Sequence, residues 1–139
     1  MSIQFKPTKG SILMCDFSRG FVEPEMVKIR PVIVLKANSR SRLVTVIPLS
    51  TMEPNPVQDY HLEIPMKELP NYAYFNSKTS WLKGDMIYTV SWRRLSPIRV
   101  NKKSRTRTYH KGRVSLDLLT KIEICVINGI GLKRLIRTP

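Results

Sequence analysis

Cysteine and histidine are both scarce in this chain of 139 residues, which has two of each. Cys15 and Cys125 stand in apolar surroundings, Leu-Met-Cys-Asp-Phe and Glu-Ile-Cys-Val-Ile, with no Cys-x-x-Cys spacing. They read as small buried hydrophobes in a reducing compartment, not as a disulfide framework. His61 and His110 are far apart and have no second ligand nearby in sequence, which argues against a zinc site and against a histidine pair as acid and base. No apolar run approaches the length of a membrane span, and the start lacks a charged stretch leading into an apolar one. The expectation is a cytoplasmic protein with no membrane role. Acidic residues are few as well: 10 Asp plus Glu against 24 Lys plus Arg give a formal charge of +14. Solubility requires nothing of that size, so a polyanionic partner is expected. Nucleic acid stands ahead of lipid because no basic amphipathic helix is evident.

The length predicts a single domain over 1–139. After Gly10, the run Ser-Ile-Leu-Met-Cys-Asp-Phe predicts a first strand ending near Asp16. Residues 21–29 hold Pro24 and charges of both signs without strand alternation or helix caps, and predict a loop of functional length. A strand is then expected from Val32 to Leu35, behind a proline that belongs at the start or edge of a strand. A basic turn at 38–42 leads into a partner strand, Leu43 to Leu49, broken late by Pro48. Residues 52–58 are loop by proline content, and 61–65 is a short strand candidate inside the one acidic region, 52–70, which is not expected to face a polyanion. The β-branched and aromatic content from Trp81 to Trp92 predicts one strand, with Gly84 marking a bulge or a close backbone approach. Ser115 as N-cap, Asp117 in the first turn and Leu118, Ile122 and Cys125 along one face predict a helix over about 116–128, stopped by Gly129 and Gly131. The composite is mainly β: a small, partly open β-barrel with a C-terminal α-helix.

Chemistry gathers in two places. Arg30 stands at the mouth of the second strand and carries five donors in a fixed fork suited to a phosphate or carboxylate. Glu25 lies five residues upstream, where the loop could fold back onto it. From Arg93 to Arg113 there are nine basic residues and no acid, with Tyr109 and His110 interleaved. This run reads either as a solvated loop or as a phosphate-tracking arm, with Arg93, Arg105 and Arg107 on the backbone and Tyr109 stacking on a base.

Several short stretches in order carry a resemblance. They are Gly10 with Asp16-Phe17, then Glu25 with Arg30-Pro31, then Val46-Ile-Pro-Leu-Ser50-Thr51, then Lys83-Gly-Asp85 seven residues before Trp92, then the capped helix. Together they resemble the MazF/PemK family of toxin endoribonucleases, whose relative CcdB shares the fold and poisons a topoisomerase. The resemblance implies an SH3-like barrel, a homodimer, and metal-independent cleavage of single-stranded RNA to 2′,3′-cyclic phosphate and 5′-hydroxyl ends, with no cofactor. It also implies neutralisation by a cognate antitoxin, expected to be small and acidic against the charge of this chain. By position it assigns Arg30 to the phosphate, Ser50 to the phosphate or ribose, and Lys83 and Asp85 to the places of an arginine and aspartate with acid and base roles. Glu25, Thr51 and Lys28 are expected to bind substrate beside them. Two departures stand out. Lysine replaces the arginine at 83, and Pro24 stands where family members often have histidine. The basic segment 99–113 lies outside the resembling motifs. The alternatives are a barrel that binds nucleic acid without cutting, and a CcdB-like topoisomerase poison. The basic ending Lys-Arg-Leu-Ile-Arg-Thr-Pro disfavours the second.

Overall fold

The computed structural model describes residues 2–76, 78–100 and 107–136. Strands β1 (Ile12–Asp16), β2 (Ile29–Asn38), β3 (Leu43–Ser50), β4 (His61–Ile64), β5 (Ser80–Lys83), β6 (Tyr88–Ser91) and β7 (Leu95–Ser96) form one antiparallel sheet. Its path is β4-β5-β3-β2-β1-β7, with β6 also paired to β3. The two ends of that path do not pair among the described residues, so the sheet curls without closing. This is the open, β-rich arrangement that the strand spacing predicts. A separate ribbon joins β8 (Arg99–Val100) to β9 (Thr108–Tyr109), and the α-helices among the described residues are α1 (Ala73–Asn76) and α2 (Leu116–Gly129).

The hairpin β2–β3 is buried on both faces, which explains its unbroken apolar runs. Ile33, Ile47 and Leu49 pack on one side with Ile12 and with Leu118, Leu119, Ile122 and Cys125 of α2. Val32, Val34, Val44 and Val46 pack on the other with Leu13, Cys15, Phe17, Trp92 and Leu95. Both cysteines are unpaired and buried, and burial pushes the Cys15 thiol up to about 12. Helix α2 starts as expected, with Ser115 Oγ accepting the Leu118 N–H at 3.2 Å. The Glu68 carboxylate holds Ser115 in turn, accepting its N–H at 2.9 Å and its hydroxyl proton. The helix ends in a Schellman motif. Gly131 adopts φ +79°, and the Leu132 N–H reaches back to the Ile127 carbonyl at 3.0 Å.

Three expectations need correction. Strand β2 begins at Ile29, ahead of Pro31, so this proline lies inside a strand. Val34 exchanges both of its backbone bonds with the β1 side, through Ser11 and Gly10. Alternation therefore turns Pro31 toward β3, where the ladder between the two strands ends at Val32–Pro48. Pro48 likewise sits within β3, which continues to Ser50. It falls where the neighbour of β3 changes from β6 (Val46–Tyr88) to β5 (Leu49–Leu82), so the proline interrupts neither ladder. Finally, Trp81 to Trp92 is two strands, not one. The chain turns between Lys83 and Tyr88, and β5 and β6 pair with different parts of β3. The turn falls on Gly84-Asp85, a pair that favours turns as readily as the expected bulge or close approach, and a helix packs against Gly84.

Candidate active site

The Arg30 guanidinium is held by an aromatic residue from far along the chain. Its Nη1 donates to the Tyr74 hydroxyl at 2.7 Å, and its Cζ lies 5.8 Å from the Tyr74 ring centroid. The same hydroxyl donates to the Leu49 carbonyl at 3.2 Å. That carbonyl stands at the level where the β2–β3 register would place Pro31, which has no N–H to offer. Tyr74 thus supplies the donor that the proline withholds and fixes the arginine as well. Arg30 Nε is buried and makes no hydrogen bond among the described residues. The expected return of Glu25 onto Arg30 does not occur. Glu25 Oε1 instead accepts the Val22 N–H at 2.8 Å, closing its own loop, and the ion pairs among the described residues are Lys9–Glu123 and Lys133–Asp59.

Ser50 ends β3 opposite Trp81, and its Oγ accepts the Met52 N–H at 3.1 Å. Lys83 ends β5 one residue past Leu82, the partner of Leu49. The Leu49–Leu82 rung therefore has the Arg30 anchor on one strand and Lys83 beside it on the other. Across β5, Lys83 faces His61. His61 Nδ1 accepts the Gln58 N–H at 2.9 Å, which places its proton on Nε2. Burial holds this imidazole below its usual range. The Asp85 charge acts against that shift and the Lys83 charge with it, so all three groups share one neighbourhood. Asp85 also bears on Tyr88, whose hydroxyl is pushed up mainly by burial and also by the charges of Glu25 and Asp85. The Tyr88 hydroxyl accepts the Met26 N–H at 2.9 Å, tying the loop 21–28 to this region.

The Lys83-Gly84-Asp85 turn is set by the helix. A Cβ on Gly84 would lie 2.4 Å from the Cys125 carbonyl oxygen, and one on Gly129 would lie 2.5 Å from Gly84. The glycine thus marks a close backbone approach, and Gly129 is a packing residue as well as the last of the helix.

The other expected substrate residues are dispersed. Lys28 is exposed just before β2, where its carbonyl accepts the Phe17 N–H. Thr51 shares a shallow cavity with Glu53, Glu63, Lys78 and Trp81, in carboxylate company. Arg93 lies beyond β6 with Arg19 and Arg94. Arg107 is exposed, Tyr109 pairs with Arg99 in the β8–β9 ribbon, and Arg105 lies outside the described residues. Tyr74, His61 and Tyr88 have no signal in the sequence, since each reaches the site through contacts distant along the chain. Among the described residues no three His, Cys, Asp or Glu side chains gather to hold a metal ion, and no helix is long and apolar enough to cross a membrane.

Solved structures share this open antiparallel sheet with its C-terminal helix. Crystalline MazF from Deinococcus radiodurans superposes with a TM-score of 0.63 at 15% identity, covering 92% of this chain and 99% of that one. An endoribonuclease in complex with its cognate antitoxin, from a mycobacterial species, gives 0.59 at 18%, covering 91% and 96%. These likenesses define the class by fold. The chain belongs to the family described as PemK-like, MazF-like toxin of type II toxin-antitoxin system, whose model matches residues 8–128. That span runs through the basic segment 99–113, which the short motifs left aside. An uncharacterised protein of Haemophilus influenzae is 31% identical over 98% of this chain and 99% of its own length. The uncharacterised YifN protein of Escherichia coli K12 is 29% identical over 94% and 96%.

Proposed function

We propose that this chain is a toxin that cuts single-stranded RNA at selected sequences without a metal ion, with Arg30 as the phosphate clamp. The observation that carries the reading is the state of Arg30. It is half-buried, fixed by Tyr74, without a carboxylate partner among the described residues, and it keeps a buried Nε–H unspent. A buried donor of this kind is costly unless a ligand oxygen completes it. A phosphodiester supplies such an oxygen.

In the proposed reaction Asp85 takes the proton of the 2′-hydroxyl, and the 2′-oxygen forms a bond to phosphorus. The bond to the 5′-oxygen breaks, and that oxygen takes a proton from Lys83. The products are a 2′,3′-cyclic phosphate and a 5′-hydroxyl. Arg30 and Ser50 hold the non-bridging oxygens as charge builds on them, while Glu25, Thr51 and Lys28 line the approach. Arg93, Arg105, Arg107 and Tyr109 extend the contact with the strand. The chain acts as one domain and a homodimer in the cytoplasm, and a small acidic antitoxin neutralises it. Family membership and the antitoxin complexes of its structural neighbours support that partner.

Single-turnover cleavage of one RNA by wild type, Arg30→Ala, Ser50→Ala and Asp85→Asn tests the assignment. Loss of the Arg30 donors is expected to slow cleavage about 10²–10³-fold, the effect of removing a transition-state donor. An Arg30→Ala variant cutting within twofold of wild type would contradict it.

A further inference from the structure

Arg19, Arg93 and Arg94, with Asp16 and Ser91, line a concavity of about 360 Å³. Arg94 is fixed from two sides. Its Nη1 donates to the Asp16 carbonyl at 3.0 Å, and its guanidinium lies 4.7 Å from the Phe21 ring centroid. Gly20, at φ +84°, leaves room for it, since a Cβ there would lie 3.3 Å from Nη2. The Arg93 N–H is anchored to Ser91 Oγ at 3.2 Å, and its side chain is exposed. The carboxylate on the lining, Asp16, accepts the Ser18 N–H at 2.8 Å and its hydroxyl proton on one oxygen, Oδ1, and these bonds, helped by the nearby charges of Arg19 and Arg94, hold it below its usual range. None of the three arginines makes an ion pair among the described residues. Three cations therefore share one carboxylate, which leaves an excess of positive charge on the lining.

We propose that this concavity is a second phosphate site, holding the backbone phosphate of single-stranded RNA next to the one clamped at Arg30. It rests on the reading of RNA as substrate. Position supports it. Asp16, whose carbonyl holds Arg94, is the ladder partner of Ile29, the residue before Arg30, and paired strands lie about 4.8 Å apart. Phe21, which carries Arg94 on one side, contacts the Tyr88 ring at 5.5 Å, and Tyr88 anchors the Glu25 loop. A strand crossing Arg30 and passing the Phe21 edge would meet the arginine forks, whose planar donors match the paired oxygens of a phosphodiester. Such a contact fixes the register of the RNA and reads no base.

Arg19→Ala/Arg93→Ala tests the site while leaving the clamped Arg94 in place. Lys121→Ala/Arg134→Ala, at two exposed residues elsewhere, removes the same charge. The probe is a short single-stranded RNA with 2′-O-methyl groups throughout, which binds but cannot be cut. Its affinity for Arg19→Ala/Arg93→Ala is expected to fall about tenfold or more. The slope of log affinity against log salt should shrink by about 0.7, the share of one phosphate that is no longer neutralised, and both changes should be clearly smaller in the control pair. Equal changes in both pairs would overturn the site as mere loss of charge. Unchanged RNA affinity with lost binding of a polyglutamate peptide would overturn it in favour of an acidic protein partner. Wild type that binds no RNA overturns it together with the reading beneath it. Wild type that binds with the expected variant losses, yet leaves unmodified RNA intact, would refute cleavage alone and leave this site standing.

Discussion

At the residue scale the arrangement turns on Tyr74, which serves Arg30 and the Leu49 carbonyl with one hydroxyl. Tyr74→Phe leaves that carbonyl without a donor and the guanidinium without its anchor. The expected cost is about 1–3 kcal/mol of stability in urea unfolding. Cleavage should slow about tenfold or more, because a misplaced clamp is nearly as harmful as a missing one. Retained stability and rate would show that Arg30 needs no anchor. His61 reports on the other half of the site. Its NMR titration midpoint is expected below the ordinary 6.5. Asp85→Asn should lower it further and Lys83→Ala should raise it, since the first removes an opposing charge and the second a reinforcing one. A midpoint unmoved by both substitutions would separate His61 from the turn. Arg30 was legible in sequence because a proline and an apolar run frame it. Tyr74 was not, since no local pattern encodes a bond between residues 44 positions apart.

At the scale of elements, the Lys83-Gly84-Asp85 turn is held by the end of α2. Gly84→Ala would push a methyl group into the Cys125 carbonyl, where no flexible side chain can yield. It is expected to cost about 3 kcal/mol or more in thermal unfolding. Gly131→Ala meets open space and pays only for its left-handed φ, about 1 kcal/mol. Equal losses at the two positions would show that the close approach at Gly84 carries no special cost. At the other end of α2, the hydroxyl and N–H of Ser115 hold the Glu68 carboxyl below its usual range. A carboxyl depressed in the folded state stabilises above its unfolded value of 4.5, and that contribution disappears as pH falls through the lower folded value. Glu68→Gln should therefore flatten the loss of stability between neutral and acidic pH, and an unchanged profile would show the contact to be idle. Helix α2 was legible almost to the residue, because cap, apolar face and glycine stop are all local signals. The division of 81–92 into β5 and β6 was not, because Gly84-Asp85 fits a bulge as well as a turn, and only the pairing of the two strands with different parts of β3 decides between them.

At the scale of the molecule, an open antiparallel sheet buries the hairpin β2–β3 on both faces and leaves Arg30 and Ser50 at its end. A net charge of +14 favours a polyanionic partner without choosing between sequences. Mainly β architecture and the C-terminal helix followed from strand spacing and capping. The meeting of the β3 end, the β5 end and the loop 21–28 followed from no single stretch, since three distant segments build it. On the proposed reading, this end of the sheet cuts RNA with protein groups alone. The direct measurement is to incubate the purified protein with mixed single-stranded RNA in EDTA, beside Arg30→Ala, and to determine the chemistry of the fragment ends. Discrete cuts leaving 5′-hydroxyl and 2′,3′-cyclic phosphate ends, lost in the variant, are predicted. Intact RNA, 5′-phosphate ends, or cutting that persists in Arg30→Ala would contradict cleavage by these groups.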